Sequence, residues 1–303
     1  MILIRAEDRA ILGRGHRSRA EALAHACLRA NRPACVLASD GNWSNELAGD
    51  GIRSELLIQT SGDADEARLL ADAAKRIRAT HVVLDGGRFV PAFVKSLSDF
   101  GVRVVLVDDT ASADVSAAWA VVNPNIYATG SLYSHPHPER VFAGPDFILL
   151  RPPFLKPLTA PSSSAIVLLA MGISAGDALL KILIDRIEGL GLKPVVAQRM
   201  SANEMAAAID ASAAVVCGAS VTLHEVWARA KKAVPVYQAR DQQLFWKWCA
   251  ANSIPTAVSL GVAPGAVVNG IAQILGEILA VGSSEQPVVH MGGGDRIVEQ
   301  VLR

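Results

Sequence analysis

Short apolar, β-branched runs, each about one strand long, alternate along the whole chain with amphipathic stretches at helical spacing. This alternation restricts the fold more than any other feature, because strand–helix–strand order builds parallel sheets covered by helices. Strands are expected at 1–4, 34–38, 55–58, 81–84, 102–107 and 119–122, with helices at 18–29, 65–78 and 91–100. In the second of these helices Leu69, Leu70, Ala73, Ala74 and Ile77 mark the apolar face. A proline-rich segment, Arg151 to Pro157 running into Pro161-Ser162-Ser163-Ser164, reads as a linker, since proline blocks helix continuation and serine adds little to a core. The alternation then restarts, with strands at 165–170, 193–196, 214–217, 234–237 and 256–258 and helices at 177–188, 203–211, 223–230, 242–251 and 265–279. A glycine break at 292–294 precedes a short last helix at 295–302. The expected fold class is α/β, with two Rossmann-like, doubly wound parallel-sheet domains at 1–152 and 163–290 and a C-terminal helix at 291–303. Two such domains imply a cleft between them, a common place for a small-molecule site.

Charge narrows the partners. Lys and Arg total 29 against 29 Asp and Glu, so the net charge is zero and no excess of cations is present to displace counterions from a nucleic acid or a membrane surface. With 51% apolar and 19% charged residues, the chain has the material for a packed core. Its longest apolar runs, such as 165–170, fall well short of the roughly 20 residues a membrane span needs. The apolar start Met1-Ile2-Leu3-Ile4 meets charge at once, the wrong order for a signal peptide, which favours a cytoplasmic protein. Cys27, Cys35, Cys217 and Cys249 form no C-x-x-C pair and read as small buried residues in a reducing compartment.

Chemistry concentrates at Gly13-Arg14-Gly15-His16-Arg17-Ser18-Arg19, directly before a helix. Glycines let backbone N–H groups approach a ligand, and the helix N-terminus adds partial positive charge for a phosphate. A dinucleotide fingerprint is not the match. Ser18 takes the place of the third glycine, a charged stretch separates the first strand from Gly13, and Asp40 lies beyond the expected distance of about 20 residues. No NAD or other cofactor is expected.

With Arg5-Ala6-Glu7 ahead of it, the segment resembles the R-A-D then G-x-G-H-x-x-R opening of the UDP-sugar hydrolases of pseudaminic acid synthesis and their spore-coat polysaccharide relatives. Further blocks follow in order: Asp108-Asp109 after a strand, Asn123 after the next, Gly144-Pro145 through Arg151 to Phe154, and Gly293-Gly294-Asp295-Arg296 near the end. The resemblance covers essentially the whole chain. It implies the GT-B architecture, two Rossmann-like domains facing across a cleft, with the nucleotide on the second domain and water as the acceptor. It also implies metal-independent hydrolysis of a nucleotide-sugar, UDP-linked in the family's pattern, with His16 as general base. Gly13, Gly15, Arg19, Asp85, Asp108, Asp109 and Asn123 would bind substrate from the first domain, and Gly172, Ser174, Val221, Thr222, Glu225 and Gln242 from the second. A glycosyltransferase with the same donor class, or a non-catalytic nucleotide-sugar binder, are the alternatives.

The departures are specific. Gly172-Ile173-Ser174-Ala175 stands for G-G-S-D, Ala219 to Glu225 for G-G-S-T-x-W-E, and Asp85-Gly86-Gly87 for D-H-Y. Several residues also carry a plain structural reading. His16 could be a histidine satisfied near a helix start, and Thr222 with Glu225 fits a T-x-x-E capping box. Asp108-Asp109 fits either a ligand site at a strand end or a loop cap. His135-Pro136-His137 reads as a solvated loop rather than a metal site, and Phe245, Trp246 and Trp248 as core or interface. The helix N-terminus beside His16 disfavours imidazolium, so a neutral ring is expected.

Overall fold

The computed structural model describes residues 1–7, 14–57, 63–111, 114–156, 165–172, 176–198, 200–280 and 287–303. Gly13, Ser174, Ala175 and the 161–164 part of the expected linker lie outside the described residues. The chain divides into two compact units, one built mainly from 16–151 with the first strand and 292–303, the other mainly from 152–291.

Seven parallel strands form the sheet of the first unit: β1 (Ile2–Ala6), β2 (Ala34–Ala38), β3 (Ser54–Leu56), β4 (His81–Asp85), β5 (Arg103–Val107), β6 (Ala120–Asn123) and β7 (Val141–Ala143). Their order is β3-β2-β1-β4-β5-β6-β7. Strand periodicity splits the apolar residues between two faces. Ile2, Ile4, Val36, Val83 and Val105 pack with Leu23 and Cys27 of α1 (Gly15–Arg29) and with Trp43 and Leu47 of α2 (Gly41–Gly49). Leu3, Leu37, Val82, Leu84 and Val104 pack with Leu70 and Ala74 of α3 (Ala64–Arg76) and with Phe93 and Leu97 of α4 (Pro91–Asp99). The buried stripe of α3 is Ala67, Leu70, Ala71 and Ala74, so Leu69, 39% exposed, falls off the face expected for it. Neither α2 nor β7 is evident in the sequence. Only Trp43 and Leu47 of α2 are buried, and its start is fixed by Asp40, whose carboxylate accepts the Trp43 N–H (2.8 Å).

The second unit has five parallel strands, β8 (Ile166–Ala170), β9 (Lys193–Val196), β10 (Ala214–Gly218), β11 (Lys232–Tyr237) and β12 (Ala257–Val258), in the order β12-β11-β10-β8-β9. Its helices are α5 (Asp177–Glu188), α6 (Ala202–Ala211), α7 (Val221–Ala228), α8 (Gln243–Ala251) and α9 (Pro264–Ala280). The described part of the proline-rich segment is not a free linker. Pro152–Leu155 forms a 3-10 turn with Phe154 fully buried, and the Arg229 guanidinium donates to the carbonyls of Pro153 (3.5 Å) and Lys156 while pairing with Asp210.

The last helix, α10 (Gly293–Gln300), belongs to the first unit, where Ile297, Val298, Val301 and Leu302 complete the core. Gly293 lets it dock: a Cβ there would lie 2.1 Å from the Ile148 carbonyl oxygen and 2.6 Å from its nitrogen. Backbone atoms cannot yield as a flexible side chain would. Gly293→Ala is therefore expected to lower stability by ~1–3 kcal/mol as overpacking, read as a fall in urea midpoint; an unchanged midpoint would refute the close approach. All four cysteines are free and buried, and burial pushes the Cys27 thiol up to about 12 and Cys35 and Cys249 to about 11. No helix among the described residues is long and apolar enough to cross a membrane.

Candidate functional site

In the first sheet, β1 lies between β2 and β4, so the direction in which strands are added reverses at β1. The carboxyl ends of strands at such a reversal are where open α/β sheets bind ligands. The residues gathered there come from different elements. His16 is the second residue of α1 and Arg19 lies one turn further along the same face. Asp85 ends β4, Asp109 follows β5, and Asn123 ends β6.

His16 Nδ1 lies 2.7 Å from Asp85 Oδ1; an ionised carboxylate only accepts, so a hydrogen bond here takes Nδ1–H as its donor and leaves Nε2 as the basic nitrogen of the neutral ring. Arg19 grips the same carboxylate, Nε on Oδ2 at 2.8 Å and Nη2 on Oδ1 at 2.6 Å, and this Nη2 also stands 2.8 Å from His16 Nδ1. Its Nη1 reaches both oxygens of Asp109 (3.0 and 2.8 Å). Asn125 Nδ2 donates to Asp109 Oδ1 (2.9 Å) and to Asn123 Oδ1 (2.8 Å), and the Tyr127 hydroxyl donates to the Asp109 carbonyl (2.6 Å). Asn123 in turn donates to the Tyr133 hydroxyl (2.8 Å), which donates to Asp108 Oδ2 (2.9 Å). The adjacent acids thus divide the two readings between them. Asp108 caps its own loop, accepting the Ala111 N–H (2.7 Å) and the Thr110 hydroxyl (3.2 Å), while Asp109 belongs to the Arg19 cluster.

Ionisation follows from this packing. Burial alone would raise the Asp85 carboxyl, but the Arg19 charge and His16 hold it down at about 2. Burial likewise disfavours imidazolium at His16, yet the Asp85 carboxylate outweighs it and the pKa stands above the ordinary value. The direction is opposite to the one expected from the helix N-terminus alone. Asn125, Tyr127 and Tyr133 are partners that the sequence reading missed. The available signal was the Asn-Pro-Asn after a strand, followed by two of the chain's three tyrosines.

Glu7 and Gly86 explain one departure from the resembled motifs. Gly86 has φ +146°, and a Cβ there would fall 2.3 Å from Glu7 Cβ. Glu7 Oε2 accepts the Arg88 N–H (3.1 Å), so the acid occupies the space that a side chain at 86 would need. Behind this loop, Arg5 and Arg88 share the Glu66 carboxylate, with Arg5 Nη2 at 3.2 Å and Arg88 Nη2 at 2.7 Å from Oε1. Arg5 also donates to the Leu37 carbonyl (3.0 Å). Arg5 and Glu66 are fully buried.

The second unit carries its own polar cluster at the carboxyl ends of β10 and β11. A Cβ on Gly218 would lie 2.9 Å from Gln238 Oε1 and 3.4 Å from Gln242 Nε2. Gln242 Oε1 accepts the Gln238 backbone N–H (2.9 Å), and Gln238 Nε2 is buried with no partner among the described residues. Immediately after β10, α7 begins with Ser220 as N-cap but without a side-chain cap bond. Thr222 and Glu225 both lie inside α7, with Glu225 buried, so the capping box expected of them is not formed. Val221 is buried at the first turn, and Gly172 takes φ +68° beyond β8. His224 stacks on Phe245 (5.0 Å), which also meets Trp227, so these three rings are core, while Trp248 packs half-buried against Phe245; Trp246 stacks on Tyr237 at 5.2 Å. His135 is buried rather than solvated, with Nε2 3.0 Å from the Ala118 carbonyl and Nδ1 3.0 Å from the His137 nitrogen. Among the described residues no three His, Cys, Asp or Glu are grouped to hold a metal ion.

No family model and no curated protein matches the sequence. Solved structures do. MurG of Acinetobacter baumannii is similar over 99% of this chain and 98% of its own, with 15% identity and a TM-score of 0.61. The spinosyn rhamnosyltransferase SpnG, complexed with thymidine diphosphate, is similar over 99% and 96% with 11% identity and a TM-score of 0.57. Anabaena Alr3699/HepE in complex with UDP-glucose gives 100% and 99%, 11% identity and a TM-score of 0.55. The chain has the GT-B glycosyltransferase fold. Within this GT-B chain His16, Arg19, Asp85, Asp109 and Asn123 converge in one network of the first unit, joined through Tyr133 to Asp108. Gln242 stands by Gly218 and Gln238, close in sequence to the α7 start that carries Val221 and Thr222.

Proposed function

We propose that this chain hydrolyses a nucleotide-activated amino or deoxy sugar, in the manner of the UDP-sugar hydrolases of pseudaminic acid synthesis that its motifs resemble. The observation that carries the reading is the Asp85–His16 pair at the reversal point of the first sheet. Asp85 fixes the tautomer and leaves Nε2 of a ring 19% exposed to take a proton from water. The water oxygen then bonds to the anomeric carbon as the bond to the diphosphate oxygen breaks. The leaving nucleotide keeps that electron pair, and the imidazolium formed on His16 is held by Asp85. Within the second unit, a helix N-terminus such as that of α7, with the amides of Gln238 and Gln242 beside it, suits binding of a diphosphate. The UDP-glucose and thymidine diphosphate complexes of two similar structures support a nucleotide-sugar as ligand. Transfer to a sugar or lipid acceptor is the second reading, favoured by the rhamnosyltransferase among those similar structures.

One assay tests both. UDP-, CMP- and GDP-sugars are incubated with the protein, with and without candidate acceptors, and free nucleotide is scored. Release in water alone supports hydrolysis; release only with an acceptor supports transfer; binding without release leaves the non-catalytic reading. Turnover is expected to survive EDTA, because Asp85 and Asp109 are committed to Arg19 rather than open to a cation. Activity lost with EDTA and restored by Mg²⁺ would refute this. Thr222→Trp, at the second residue of α7, is expected to weaken UDP binding in calorimetry, and unchanged affinity would remove Thr222 from the site.

A further inference from the structure

The charges behind His16 balance in only one protonation state. Arg19 carries one positive charge and faces two carboxylates, Asp85 and Asp109, both within hydrogen-bond distance. With a neutral His16 the four groups sum to minus one, and with imidazolium they sum to zero. The other charged groups nearby have partners of their own. Arg17 on α1 pairs with Asp40 (2.5 Å) ahead of α2, and the Glu7 carboxylate beyond β1 accepts the Arg88 N–H. From beyond β6, Asn125 contributes no charge and only orients Asp109. Arg19 is 5% exposed, and its side chain is spent on carboxylates across its Nε, Nη1 and Nη2.

We propose that Arg19 and Asp109 are a charge-balancing pair of positioning residues beside the Asp85–His16 dyad, which set the proton affinity of His16 with opposite signs. Arg19 opposes the imidazolium directly, its Nη2 standing 2.8 Å from Nδ1, and draws off part of the Asp85 charge. Asp109 restores the balance by engaging the far side of the same guanidinium. Asp109 itself touches no ring atom, so its influence passes through Arg19 and through space. The two residues therefore act on His16 with opposite signs, an outcome that simple scaffolding does not produce. The catalytic meaning rests on the reading of His16 as the base, but the tuning itself does not.

The test is an NMR pH titration of the His16 imidazole, assigned by its loss in His16→Gln, in the intact protein and in Asp109→Asn, Arg19→Gln and Arg19→Lys. Asp109→Asn is expected to lower the His16 pKa and Arg19→Gln to raise it, each by about half a unit to one unit, or ~3- to 10-fold in proton affinity. Arg19→Lys, which keeps the charge, is expected to fall between the intact protein and Arg19→Gln. Should Arg19→Gln fail to fold, Asp109→Asn and Arg19→Lys still give the two signs. Shifts of the same sign, or none, would overturn the proposal whether or not the protein turns over a nucleotide-sugar. If the titration behaves as expected and the acid limb of nucleotide release does not move with it, the tuning holds and the assignment of His16 as base fails.

Discussion

His16→Gln is expected to lower nucleotide release by roughly a hundred- to ten-thousand-fold, the usual loss on removing a general base. Nucleotide-sugar affinity should change little, since an interaction made only in the transition state has been removed. Thermal stability should also be nearly unchanged. With the imidazole gone, Asp85 keeps both of its bonds to Arg19, so no buried carboxylate is abandoned. Turnover assays, calorimetry and a melting curve on the same preparation separate the outcomes. Comparable turnover would make His16 a structural residue and the mechanism wrong, and a large fall in melting temperature would show that the ring supports the loop rather than the reaction.

The largest expected loss of stability follows Glu66→Ala. Its carboxylate is shared by Arg5 and Arg88 in a fully desolvated setting, and its removal leaves two buried guanidinium groups without the acid that both use. Breaking a buried pair of this kind costs about 3–5 kcal/mol, because the remaining charge loses its compensation. Urea unfolding followed by circular dichroism would read this as a lower midpoint. Replacing all three residues at once, Arg5→Met with Glu66→Leu and Arg88→Met, is expected to recover most of the loss, since the desolvation penalty goes with the charges. A Glu66→Ala protein within about 1 kcal/mol of the parent, the range of an exposed pair, would mean the cluster is not desolvated as described.

Periodicity is a local property, and what depends on it was legible in the sequence. The alternation of strand and helix placed β2 at 34–38 and α5 at 177–188, and the parallel order of both sheets follows from the same pattern. Gly13 and Gly15 mark out His16 and Arg19 in the sequence, and these two share a helical face three residues apart. Longer-range arrangements were decided by the tertiary structure. Asp85 meets His16 across 69 residues of chain, and that contact raises the proton affinity of the ring against the effect of burial. Two adjacent and chemically identical acids part company because Tyr133 and loop amides reach Asp108 while Arg19 reaches Asp109. Thr222 and Glu225 had the spacing of a capping box, but α7 begins at Val221, which places both residues inside the helix. Gly86 and Gly293 look alike in sequence; one yields to the Glu7 side chain and the other to the backbone of Ile148. Such distinctions depend on which distant atoms arrive within a few ångströms, and the spacing of residues along one chain carries no record of that.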